Sequence, residues 1–267
     1  MKTSIKIPLE SLPNTRDLGG METTDGGHIK SGVLLRSGAL CNASEKDLHI
    51  LCEDYHLKQI IDFRTLHEQN GKPDPQIPGV SHIGNPILEE KALGITREGK
   101  ADSLSLILQI FRTNPITPEQ YMTKMYDDLS TSAYGCQQYR HFLQHLLMNP
   151  SGASLWHCSL GKDRVGVGTA LLQYLLGVSM DDIIADYMLT GEYLAAHTEM
   201  EVEQARPLAR SEKELDCVRA VASVKEEYIA SIFTSIKEKF GSMERYYIDV
   251  MHLSREDLNT LKDLYLV

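Results

Sequence analysis

Cys158 and Arg164 stand six residues apart in the run His157-Cys158-Ser159-Leu160-Gly161-Lys162-Asp163-Arg164-Val165-Gly166. A thiolate is a strong nucleophile. A guanidinium presents a planar fork that matches two phosphoryl oxygens, which lysine cannot reproduce. Between them Gly161 lets the backbone curl toward a ligand. A β-like run, Ala153 to His157, leads into the segment and a helix-like one leaves it. Such a strand–loop–helix setting directs loop N–H groups and the positive end of a helix dipole at one anion, and both favour a thiolate. The chemistry this suits is attack of Cys158 on phosphorus, with Arg164 holding the phosphoryl group through an in-line transition state.

Two commoner phosphate loops are excluded by spacing. A Walker loop would need glycine at 156 and serine or threonine at 163, where Trp156 and Asp163 stand. Gly166-Val167-Gly168 lacks the third glycine of a dinucleotide fingerprint, because Leu171 occupies that place.

The remaining loop residues carry narrower expectations. Ser159, Leu160, Gly161, Lys162, Val165 and Gly166 are expected to line the substrate site. Lys162 reads either as a second cation at the rim, suited to a substrate with more than one phosphate, or as a solvated loop lysine. Asp163 reads as a general acid that protonates the leaving oxygen and later activates water, or as a carboxylate fixing backbone amides or a basic neighbour. His157 is expected to orient Cys158 by hydrogen bonding rather than to carry a proton.

These residues must be positioned by a sizeable fold, and 267 residues suffice for one substantial core. A formal net charge of −10 argues against nucleic acid or anionic membrane as a bulk electrostatic partner, so an anionic substrate needs a local positive site. Five irregularly spaced cysteines without a CxxC pair indicate neither a disulfide framework nor a zinc site, and no metal or cofactor is expected. The N-terminus has no apolar targeting core, and the longest apolar stretch, Val165 to Val178, is too short to span a bilayer. A cytoplasmic, reducing compartment is therefore expected, without integral membrane contact.

Strands are expected at Ile29–Arg36, Gln59–Phe63, Val80–Ile87 and Ala153–His157. Ser44 with Asp47 predicts a capped helix to about Tyr55, and further helices are predicted at 103–112, 117–129 and 135–147. Ser179/Asp182, Ser211/Glu214 and Ser254/Asp257 each open a helical segment in the same Ser-x-x-acid pattern. The segment following the loop is apolar on nearly every face and is predicted to be a central, buried helix. The expected fold is α/β: a short, largely parallel central sheet flanked by helices, with an α-helical C-terminal flank. One domain is expected over residues 1–267, with 89–131 a helical cap over the site.

The loop resembles the His-Cys-x-Ala-Gly-Lys-Asp-Arg-Thr-Gly signature of the bacterial atypical, lipid-phosphatase-like tyrosine phosphatases. Asn14-Thr15-Arg16-Asp17-Leu18-Gly19-Gly20, Leu35-Arg36-Ser37-Gly38, and Ile61-Asp62-Phe63-Arg64 with Glu68 resemble further segments of that family in the expected order. Asp186-Tyr187-Met188-Leu189 and Phe240 to Tyr246 resemble its C-terminal helices. The resemblance implies a phosphatase-type α/β fold, a phosphocysteine at Cys158 and phosphate held by Arg164. It also implies activity on phosphotyrosine that extends to phosphoserine, phosphothreonine or phosphoinositides.

No segment reads as a separate loop carrying the general acid. Asp163 is therefore first choice and Asp128 the runner-up, while Arg16, Asp17 and Arg64 are expected to brace the loop or to form ordinary salt bridges. Leu160 replaces a small alanine of the signature, and Val165 replaces a threonine whose hydroxyl favours departure of the thiolate in the second step. Ser159 or Thr169 is the available substitute hydroxyl.

Three readings follow: a phosphatase for phosphorylated protein side chains; one for phosphoinositides or other polyphosphorylated small molecules, favoured by Lys162; and a phosphate-binding pseudophosphatase, motivated by Val165. Rhodanese-like sulfur transfer does not need the Gly161–Arg164 spacing.

Overall fold

A computed structural model describes residues 2–89, 100–149 and 151–267. Within it, β1 (Ile5–Lys6), β2 (Arg16–Asp17), β3 (Leu34–Ser37), β4 (Leu57–Asp62), β5 (Ser81–Gly84) and β6 (Ala153–His157) form one sheet. The spatial order is β1-β2-β3-β6-β4-β5. β1, β2 and β3 are antiparallel neighbours, whereas β3, β6, β4 and β5 pair in parallel. The mixed α/β class with a largely parallel centre agrees with the sequence.

β6 sits between β3 and β4 and is buried at every position. Its side chains alternate between faces. Ala153 and Leu155 join a smaller core with Leu35, Leu51, Leu57 and Ile60, while Trp156 joins the main core. Leu57 and Ile60 share a face despite odd spacing because a register shift falls between Leu57 and Gln59.

The helices are α1 (Glu45–Glu53), α2 (Leu66–Gly71), α3 (Lys100–Thr113), α4 (Pro118–Thr131), α5 (Ala133–Leu147) and α6 (Asp163–Leu176). They continue with α7 (Met180–Tyr193), α8 (Ala195–Ala205), α9 (Glu212–Ala222), α10 (Glu226–Phe240), α11 (Met243–Arg245) and α12 (Arg255–Tyr265). α6 is buried along nearly its whole length, as its apolar sequence predicts. Ser44 and Ser254 form complete capping boxes with Asp47 and Asp257, and Ser179 accepts from the Asp182 N–H.

Ser211 precedes α9 without capping it by its side chain. Glu214 instead takes the Arg210 N–H and the Arg112 guanidinium.

Two strands are shorter than the sequence predicts. Ile29 forms only an isolated bridge with Leu266, and a turn at 31–32, tied by the Gly32 N–H donating to Asp17 (2.7 Å), separates it from β3. β5 ends at Gly84, two residues before Pro86, which has no N–H to continue the ladder. Residues 90–99 of the expected cap lie outside the described residues. α4 contributes Met122, Tyr126 and Leu129 to the main core, whereas α3 packs Leu104 and Leu108 with α8 and α9 in a separate cluster. No described helix is long and apolar enough to cross a membrane.

Candidate active site

β6 delivers His157 and Cys158 to the C-terminal edge of the parallel strands, and α6 begins at Asp163. The four residues between, 159–162, turn back against the end of β3. Gly161 adopts φ +68°, and a Cβ there would lie 2.5 Å from the Ser37 carbonyl oxygen, so only glycine fits. The Ser159 carbonyl accepts from Ala39 N–H at 3.2 Å. Asn14 Nδ2 donates to the Leu160 and Gly161 carbonyls, both at 3.0 Å, and Arg36 Nη2 donates to Gly161 O at 2.9 Å. In a trans peptide C=O and N–H point in opposite directions. Fixing these carbonyls behind the loop therefore turns the Leu160, Gly161 and Lys162 N–H groups to its front.

Arg164 is oriented by Glu68. Its Nη1 donates to Glu68 Oε2 at 2.7 Å and its Nη2 to Oε1 at 3.1 Å, with a further bond from Nη2 to Ser159 Oγ at 2.8 Å. Ser159 Oγ in turn donates to Glu68 Oε1 at 2.6 Å. Glu68 also completes the capping box of α2 with Thr65. Burial alone would raise the Glu68 carboxyl, but the bonds and charge of Arg164 hold it down to about 2.

A buried polar cluster lies beneath. Arg16 donates to the Asp186 carbonyl (2.8 Å) and to Thr190 Oγ1 (2.9 Å), and Arg36 faces Asp186 Oδ2 at 3.4 Å. Gln173 and Ser4 complete the Asp186 shell. Two guanidinium groups thus share one carboxylate. Burial, then the Arg16 charge, pulls Arg36 down to about 9 against the pull of Asp186 and Cys158. Asp17 does not join this brace; it closes its own turn by accepting from Gly19 and Gly32.

His157 is buried, with Nε2 2.8 Å from Asp74 Oδ2. Arg64 donates to both Asp62 (2.7 Å) and Asp74 (2.9 Å), which also accepts from Cys41 N–H at 2.9 Å. Asp62, Asp74 and His157 are close enough to suggest a metal site, but the Arg64 guanidinium already supplies the cation there.

Lys162 departs from expectation, Asp163 fits its reading as a carboxylate beside a basic neighbour, and Val165 and Gly166 are buried. Lys162 is neither at the rim nor solvated: it is 2% exposed, and its Nζ donates to the Val221 (2.6 Å) and Ser223 (3.3 Å) carbonyls at the end of α9. Those carbonyls belong to the last turn and the C-cap of α9, where helix carbonyls need donors, which outcompetes exposure of the ammonium. Asp163 accepts from Tyr126 OH at 2.9 Å and lies 3.6 Å from Lys162 Nζ, with its side chain 24% exposed. Val165 is fully buried in the main core, and Gly166 and Thr169 on the same helix are also buried. The Thr169 hydroxyl accepts from the Trp156 indole at 3.0 Å, and the Ser159 hydroxyl is engaged by Glu68 and Arg164.

Asp128 is exposed on α4, two residues past the inward-facing Tyr126 and hence on the opposite face. Cys158 itself is 3% exposed. A cavity of about 620 Å³ opens beside Ser159 and Leu160, where Leu12, Leu104, Leu194 and Met200 meet the polar and charged side chains of Arg64, His67, Lys72 and His197.

The family profile described as "Tyrosine phosphatase family" matches residues 7–267. The chain belongs to the tyrosine phosphatase family. This phosphatase is 25% identical over 262 residues to a Cupriavidus necator protein named as a candidate tyrosine-protein phosphatase, covering 97% of this chain and 88% of that one. It is 27% identical over 182 residues to the tyrosine-protein phosphatase of Nostoc commune (66% of this chain, 54% of that one). It is also 28% identical over 155 residues to the triple specificity protein phosphatase PtpB of Mycobacterium tuberculosis (55% of each). The chain spans about half the length of the last two relatives.

Glu68, Asp74, Arg36, Asp186 and Tyr126 are the residues around the phosphatase loop to which sequence reasoning gave no role. Glu68 carried a legible sign, the Thr65-x-x-Glu68 capping pattern. Asp74, flanked by Pro73 and Pro75, carried none.

Proposed function

We propose that this phosphatase hydrolyses phosphate monoesters through a phosphocysteine on Cys158. What supports this reading above all is the fixed orientation of the loop carbonyls by Ala39, Asn14 and Arg36. It turns successive N–H groups toward the space over the sulfur, where phosphoryl oxygens would carry charge in the transition state. Arg164, its plane set by Glu68, binds two of those oxygens. Asp163 gives a proton to the leaving oxygen as the phosphorus–oxygen bond breaks. It then takes one from the water that cleaves the sulfur–phosphorus bond.

The substrates are phosphorylated protein side chains, phosphotyrosine first and phosphoserine or phosphothreonine next. Leu12, Leu104, Leu160, Leu194 and Met200 in the cavity beside the loop supply apolar surface for an aryl or peptide group. Lys162, the feature that favoured phosphoinositides, is spent on the end of α9. The PtpB relative's name describes triple specificity, which supports breadth. With valine at 165 and the hydroxyls of Ser159 and Thr169 engaged elsewhere, hydrolysis of the phosphocysteine is the slow step.

Replacing Cys158 with serine tests the mechanism. Turnover of an aryl phosphate should vanish while vanadate or phosphate binding, measured by calorimetry, persists. Unchanged turnover would sink it.

A further inference from the structure

Asp163 has an unusual neighbour for a loop carboxylate. Tyr126 OH donates to its Oδ1 at 2.9 Å, and the Tyr126 and Tyr187 oxygens lie 2.6 Å apart. Because Tyr126 has a single proton and commits it to Asp163, Tyr187 is the donor within the pair. The two rings come from α4 and α7, are buried, and meet edge to face with centroids 6.1 Å apart. Gly166 on α6 allows that approach: a Cβ there would lie 3.1 Å from the Tyr187 ring. Burial, then the charge of Asp163, pushes the Tyr126 hydroxyl well above its ordinary range, so it remains a donor.

We propose that Tyr126, backed by Tyr187, is a positioning residue for the general acid of this phosphatase. It holds Asp163 Oδ1 so that Oδ2 carries the proton, and it stabilises the carboxylate that forms as the proton leaves. The inference rests on the reading of Asp163 as the acid.

In the first step the Cys158 sulfur bonds to phosphorus and the bond to the leaving oxygen breaks. The Asp163 Oδ2 proton passes to that oxygen, and the electron pair of the O–H bond stays on the carboxylate. In the second step water attacks phosphorus, the sulfur–phosphorus bond breaks to restore the thiolate, and a water proton returns to Oδ2. A hydrogen bond to a carboxylate is roughly twice as strong as one to the neutral acid. The Tyr126 bond therefore strengthens as the first transition state is approached, which is the condition for an interaction to raise rate rather than binding alone.

The test is the burst rate constant and kcat/KM, which report formation of the phosphocysteine, over a series of aryl phosphates running from good to poor leaving groups, for Tyr126→Phe, Tyr187→Phe, Asp163→Asn and the Tyr126→Phe/Asp163→Asn double variant. Tyr126→Phe should lower both by about tenfold for the poorest leaving group and by less than about twofold for the best. Tyr187→Phe, which leaves the Tyr126–Asp163 bond in place, should show the same trend at a smaller size. The double variant should be no slower than Asp163→Asn alone.

A loss equal across all leaving groups in Tyr126→Phe and Tyr187→Phe, or additive with Asp163→Asn, would overturn the positioning role while Asp163→Asn keeps its leaving-group dependence. Absence of that dependence in Asp163→Asn would instead overturn the acid reading on which the proposal stands.

Discussion

Glu68 serves two structures at once: it closes the first turn of α2 and it fixes the plane of the Arg164 guanidinium. A charge-assisted, bidentate pair of this kind is directional, so it sets where the fork points as well as holding it. Glu68→Gln keeps the shape and removes the charge. It should lower kcat/KM for an aryl phosphate by about tenfold to a hundredfold, with a loss of about 1–3 kcal/mol in urea unfolding. Unaltered kinetics would mean that Arg164 is oriented by something else.

At this scale the sequence is legible where spacing itself is the signal. Gly161 is such a residue, because its left-handed, crowded position in the loop admits only glycine. Lys162 is misread because burial of an ammonium on the carbonyls of a helix more than fifty residues away is a tertiary fact. Nothing in the local pattern announces it.

The elements position the loop from three sides. β3 and the turn after it support the loop from behind, α6 begins directly out of it, and α9 is tied to it through Lys162. That tie joins the loop to the small cluster of α3, α8 and α9, which has its own apolar core of Leu104, Leu108, Val202, Leu215 and Val218. Lys162→Met should leave the Val221 and Ser223 carbonyls without their donor, at a cost of about 1–3 kcal/mol. Hydrogen exchange should quicken in the last turn of α9 before it does in α6. Uniform exchange, with an unchanged unfolding midpoint, would remove the tether.

Helix positions were legible from Ser-x-x-acid pairs and apolar periodicity, as at Ser44, Ser179 and Ser254. Ser211 precedes its helix without capping it, because Glu214 answers to Arg112 on α3 instead. Strand ends were read too long where a turn held by Asp17 or a proline interrupts an otherwise β-like run.

For the molecule as a whole, buried carboxylates paired with arginine tie stability to pH. Arg164 holds Glu68 at about 2, while His157 with Arg64 holds Asp74, and Arg16 with Arg36 holds Asp186, below the usual carboxylate range, all against burial. A depressed carboxylate contributes stability above its unfolded value, near 4, and loses it as pH falls toward the folded value. Asp17, raised by burial, works in the opposite direction.

The urea midpoint should therefore hold between about pH 7 and pH 5 and fall between about pH 4.5 and pH 3, with a shallower fall in Glu68→Gln. A midpoint independent of pH over that lower window would contradict the pairing. With a formal net charge of −10, bulk attraction does not draw an anionic substrate, so the proposed site would have to hold it locally.

The central claim is that phosphate passes through Cys158 and leaves it slowly. Rapid mixing with an aryl phosphate, acid quenching at successive times and mass analysis of the proteolysed chain tests it most directly. The account predicts a burst of aryl product matched in amount by phosphate on the peptide containing Cys158, with both absent in Cys158→Ser. Steady turnover without a burst, and without phosphate on that peptide at any quench time, would contradict it.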